Sequence, residues 1–142
     1  MANKISLAGL GLAAMLAAAP GVRAAEDEAA APCRPSDIGG EWLMMTNNDY
    51  APSICTLKIN NKGVVKEGLC TTGRDEAILT GQIVVAKNCA VAGRYKLKTP
   101  GGVFTREVSL GIMATDHSFF TMVAFERGGK ELNTSFVQRI PQ

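Results

Sequence analysis

Three adjacent residues invite a catalytic reading: Asp116, His117 and Ser118 are the acid, base and nucleophile types of a hydrolase triad. Consecutive side chains diverge, whereas a proton relay needs its three members stacked in line. The trio falls between two strand-like stretches and reads as a hairpin tip. The four cysteines, Cys33, Cys55, Cys70 and Cys89, stand 22, 15 and 19 residues apart, and His117 is the only histidine. Zinc sites show close ligand pairs, so this spacing points away from a metal and toward two disulfides. The sequence holds no CxxCH, GxSxG, HExxH or glycine-rich phosphate loop after its first segment. Glu41, Glu67, Asp75, Glu76 and Glu107 are scattered, without the pairing that acid–base work requires. Asn133-Thr134-Ser135 has the spacing of a glycosylation site but lies inside a strand pattern. No catalytic residue, metal or cofactor is expected, and the chain is read as a non-enzyme.

The first 24 residues explain how the cysteines could be oxidised. Lys4 precedes an apolar run, Ile5 to Pro20, and Val22 and Ala24 offer the small residues of a cleavage site. This is the pattern of a secretory signal peptide, residues 1–24, cut before Ala25. The apolar run of 16 residues is shorter than the roughly 20 a spanning helix needs. A periplasmic or secreted location follows, where disulfides persist. Removing Lys4 and Arg23 from the 15 basic residues leaves 13, against 13 acidic ones. A balanced chain without a basic stripe argues against nucleic acid, and it has no polybasic helix for a membrane surface. The processed chain is expected to be a monomer that does not span a membrane. Its 118 residues (25–142) suit one domain.

Residues 25–38 form a polar lead-in, expected to be flexible as far as Cys33, and residues 39–142 form the domain. From Gly39 onward, apolar and polar residues alternate in short runs, with turn residues at intervals of roughly ten. Strands are expected near 41–46, 53–60, 63–70, 77–87, 90–99, 103–113, 118–127 and 131–140, with room for a helical turn in 71–77. Asn60 to Gly63, Pro100 to Gly102 and Arg127 to Lys130 supply hairpin chemistry. In the fifth strand Val91, Gly93, Tyr95 and Leu97 share one face, and Arg94, Lys96 and Lys98 the other. In the sixth the expected inner set is Phe104, Val108, Leu110 and Ile112. In the last it is Leu132, Thr134, Phe136 and Ile140. Met44 and Met45 must face opposite ways. The seventh strand is bulky on both faces: Phe119, Val123 and Phe125 on one, Phe120, Met122 and Ala124 on the other. Whichever lies outside is either covered, for instance by the N-terminal segment, or used for a partner. The pattern implies an all-β fold, a single small antiparallel up-and-down β-barrel of about eight strands; a β-sandwich is the alternative. In an up-and-down meander Cys55 and Cys70 share one end and Cys33 and Cys89 the other. Cys70 and Cys89 would stand a strand length apart, about 30 Å, so the pairs are Cys55–Cys70 and Cys33–Cys89.

Gly40-Glu41-Trp42 opens the first strand and Arg139 lies in the last, its neighbour in a closed barrel, so the guanidinium can stack over the indole and close one end. These residues resemble the Gly-x-Trp signature of lipocalin-like barrels. With Ile38-Gly39, Cys55 to Asn60 and Cys70, the stretch looks most like the small exported Inh-type bacterial metalloprotease inhibitors. The matching residues cover about a quarter of the processed chain, all in its first half, and Cys33 and Cys89 are additional to the pattern. It implies a barrel that binds an exported protease or other protein, with an N-terminal segment that enters the protease cleft. That segment here is Ala25-Glu26-Asp27-Glu28. A lipocalin-like carrier of a small apolar ligand and a structural envelope protein are the alternatives.

Overall fold

The computed structural model describes residues 32–47, 52–73, 75–127 and 131–141, so the leader 1–24 and the acidic residues 25–28 lie outside the described residues. A 3₁₀ turn, Pro35–Ile38, precedes eight strands: β1 Gly40–Asn47, β2 Ser53–Ile59, β3 Val64–Thr72, β4 Asp75–Val85, β5 Val91–Thr99, β6 Gly102–Met113, β7 Phe119–Glu126 and β8 Leu132–Arg139. Each pairs antiparallel with the next, and β8 pairs back onto β1 through Trp42↔Arg139 to Asn47↔Thr134. The sheet is therefore a closed up-and-down barrel and not two packed sheets. Closure leaves no strand without a partner on either side, which removes exposed edges.

The alternation sorts residues by face. Trp42, Met44, Leu57, Leu79, Ile83, Tyr95, Phe120, Met122 and Val137 fill the interior. Met45 lies outside, as its neighbour Met44 requires. On β5, Val91 and Tyr95 point in while Arg94, Lys96 and Lys98 face solvent. Cys55 and Cys70 are directly opposite each other on β2 and β3 and are bonded; the second bond joins Cys33 to Cys89. On loop-closure arguments the shorter ring, with a separation of 15, contributes about 3 kcal/mol and the longer, with 56, about 4 kcal/mol.

Three readings of the sequence are corrected. On β6 the pairing shifts between Val108 and Leu110, a bulge that adds Ser109 to the strand. Beyond it the faces exchange: Gly111 and Met113 turn inward, and Leu110 and Ile112 lie outside. Gly111 suits this position because a Cβ there would stand 2.9 Å from Cβ of Val91. On β8 the whole strand has the opposite parity to that expected. Asn133, Ser135 and Val137 point in, and Leu132, Thr134 and Phe136 point out. Val137 is paired with Met44 and Phe120, both interior, so the neighbours fix the register against the strand's own hydrophobic count. Between β3 and β4 there is a turn at Gly73, and the described residues of 71–77 are otherwise strand; the short helix lies at Pro35–Ile38, with Ile38 fully buried.

Candidate functional site

One end of the barrel is built around Trp42. Its indole is buried, packs edge-to-face on Phe120 with ring centres 5.0 Å apart, and donates its N–H to the Ile38 carbonyl at 2.9 Å. Arg139 lies over the other side of the ring, its Cζ 4.2 Å from the centroid. The guanidinium donates to the carbonyls of His117 at 2.9 Å, Gly39 at 2.8 Å and Asp37. It thus ties together the 3₁₀ turn, β1 and the β6–β7 connection. Gly40 has φ +139°, and a Cβ on it would lie 2.5 Å from an Arg139 nitrogen. The glycine of Gly-x-Trp is therefore the space into which the arginine fits. Burial pulls the Arg139 pKa down, and the Asp37 charge opposes that shift.

The Asp116-His117-Ser118 trio sits at this same end, and its side chains are not lined up as a relay. The Asp116 carboxylate accepts from the Ser118 backbone N–H at 3.0 Å and from its hydroxyl at 2.7 Å, which closes the turn and holds the Asp116 pKa down. The His117 ring turns instead toward Asp37, with Nε2 at 3.3 Å from Oδ2 but poorly aligned for a hydrogen bond. Asp37 also accepts the Arg34 N–H at 2.6 Å.

At the other end the interior becomes polar. Thr46, Ser53, Arg106, Asn133 and Ser135 are all buried. Thr46 and Ser135 share a hydroxyl hydrogen bond of 2.9 Å. Neither polar atom of the Asn133 side chain has a partner among the described residues, nor does Nη1 of Arg106. Its Nη2 stands 3.9 Å from Glu131. Burial raises the Tyr95 pKa, and the charge of Arg106, its neighbour across the β5–β6 ladder, works against that.

The outer surface carries the feature that fits a binding role. Ile54, Met45, Phe136, Thr121 and Ile112 are successive cross-strand partners on β2, β1, β8, β7 and β6. They form one row across five strands. Beside it Leu110 pairs with Val123, and Phe125 with Leu132. Phe119 reaches Phe136 with ring centres 5.3 Å apart. The outward positions of β7 and β8 read Phe119, Thr121, Val123, Phe125 and Leu132, Thr134, Phe136, Gln138, without one charge. An open apolar depression of about 900 Å³ follows the row. Across the barrel, the outward positions of β5 carry Arg94, Lys96 and Lys98, with Arg94 paired to Glu107 at 3.2 Å.

Sequence reasoning singled out the two-faced β7, and that signal was sound. It missed the breadth of the wall, because the bulge on β6 and the parity of β8 had been read the other way. Of the residues singled out from the sequence, Trp42 and Arg139 meet, and the four cysteines pair. Ala25 to Glu28 are outside the described residues, and among the described residues no three His, Cys, Asp or Glu side chains are placed to hold a metal ion. No family model, curated relative or solved structure matches the chain.

Proposed function

We propose that this is an exported, non-enzymatic β-barrel that binds another protein through the outer wall of β6, β7, β8, β1 and β2. The observation carrying this reading is the uncharged row from Ile54 to Ile112. Large apolar side chains left contiguous in water mark interaction surfaces, since burying them against a partner is favourable at about 25 cal/mol per Å². Export is supported by the leader pattern and by the two disulfides, which suit an oxidising compartment. The interior favours protein binding over carriage of an apolar ligand. Trp42, Phe120 and Leu57 are fully buried in it, and its polar end presents Asn133 and Arg106, poor company for an apolar molecule. The protease-inhibitor form of this reading rests on the resemblance and on Ala25 to Glu28. Deleting residues 25–31 separates it from the wall: an inhibitor of that kind loses activity against exported metalloproteases while keeping its melting temperature.

The test of the wall itself is a photo-crosslinking amino acid placed at Ile112 or, as a control, at Lys96, in protein expressed in its native envelope. Protein adducts are expected from Ile112 and not from Lys96. Equal labelling at both positions, or none at Ile112, would sink the assignment.

A further inference from the structure

We infer that the partner seated on this wall is a second copy of the same chain, an inference that rests on the binding reading above. The first argument is area. Met45, Ile54, Leu110, Ile112, Phe119, Phe125, Leu132 and Phe136 are between 37 and 70% exposed. At on the order of 200 Å² for a large apolar side chain, they present roughly 800 Å². That exceeds the 300–600 Å² of the largest patch on a typical monomer and equals one partner's share of a standard interface, about 800 Å².

The second argument is symmetry. An isologous dimer uses one patch twice, so the patch must match itself after a half-turn. The row has Phe136 at its centre, with Met45 and Ile54 on one side and Thr121 and Ile112 on the other. A two-fold axis along β8 sets Phe136 against its own copy and lays the β1–β2 flank on the partner's β7–β6 flank. Apolar side chains then meet apolar side chains along the row except at Thr121, which faces Met45 of the second copy.

The third argument is charge. Neither β7 nor β8 has an outward charge, so the centre of the wall meets its copy without like-charge repulsion, and the exposed charges Glu41, Lys58 and Glu107 lie on the flanking strands. A lipid surface fits less well. A membrane barrel needs an apolar band all the way round, and a peripheral one a basic rim beside the apolar face. Here the basic residues Arg94, Lys96 and Lys98 are on the opposite wall. A second copy departs from the monomer expected from the sequence, a reading in which Leu110, Ile112 and Phe136 were placed inside.

Sedimentation of the processed protein decides it. The mass of two chains is expected at about 10 μM, and Phe136→Asp should weaken the dimer about 30-fold or more. Its melting temperature should change little, since Phe136 lies outside the core. Thr134→Cys, beside the proposed axis, should crosslink like to like under oxidising conditions, which a head-to-tail contact would not allow. A single-chain mass at every concentration overturns the second copy; adducts from Ile112 to a different protein would then leave the binding reading standing. A protein that dimerises only after residues 25–31 are removed would give the wall to the chain's own N-terminal segment and also overturn the proposal. Absence of both dimer and adducts sinks both readings.

Discussion

The two ends of this barrel are built on opposite principles. Around Trp42 the indole N–H meets Ile38 and the Arg139 guanidinium reaches three carbonyls, with only Nε2 of His117 left without a hydrogen-bond partner among the described residues. Around Asn133 and Arg106, buried polar atoms are left without protein partners among the described residues. The first end gains from both packing and hydrogen bonding. The second gives up part of the desolvation cost of its polar groups without return. The lesson is that closing a barrel and filling it are separate problems, and this chain solves the second far better at one end.

Trp42→Ala is the most severe way to break the contrast. It removes the largest interior side chain, the edge contact with Phe120 and the platform under Arg139, and should cost about 3–5 kcal/mol in urea unfolding. A loss under about 1 kcal/mol, the range of an ordinary surface change, would show that the cap does not hold this end. Arg139→Met comes next. It keeps bulk over the indole but leaves three carbonyls without their donor, for an expected loss of about 2 kcal/mol in the same measurement.

At the other end the sign should reverse. Asn133→Val fits the strand, makes the position apolar and eliminates two unpartnered atoms, so unfolding should become harder by about 1 kcal/mol. A loss of stability would reveal a water or ligand that Asn133 holds in solution, and the contrast between the ends would shrink accordingly.

How much of this could be read from the chain depends on where the signal resides. Strand positions were legible because alternation and turn residues are local: β2 was expected at 53–60 and is Ser53–Ile59. The disulfide pairs followed from strand direction alone. The arginine over the indole was reachable because closure makes the first and last strands neighbours. The faces of β6 and β8 were not legible. Ser109 carries nothing that announces a bulge, and β8 is more hydrophobic on the face it turns outward. Its register is imposed by Met44 and Phe120 on the flanking strands, information that exists only once the sheet has closed. The apolar wall was therefore half visible, through β7, and half hidden.

The smallest expected effect concerns pH. Burial favours the neutral phenol of Tyr95, so its folded pKa is above the ordinary 10.0. Below pH 10 that contribution is fully present; as pH rises from there through the folded pKa, the unfolded chain loses its proton first and stability falls. Tyr95→Phe should remove this alkaline dependence. The difference between wild type and variant, followed by urea melts from pH 9 to about 11.5, isolates it from the other titrating groups. A parallel decline in both proteins would mean that the interior near Arg106 is wetter than its burial implies.

The Cys33–Cys89 bond has a mechanical consequence. A chain held by its two ends carries tension along its covalent path, and here that path runs from Cys33 straight to Cys89. Strands β1 to β4 hang from it as a slack loop. Pulling can peel β5 to β8 away from their neighbours, but it can extend only residues 90–142, about 180 Å of contour beyond the bond at roughly 3.4 Å per residue. Rupture of that bond alone would release a second, shorter increment of about 140 Å, because the Cys55–Cys70 bond cuts across the freed loop. A force trace with one short step under oxidising conditions, and a longer total extension in reductant, is the signature this covalent shortcut writes into the molecule.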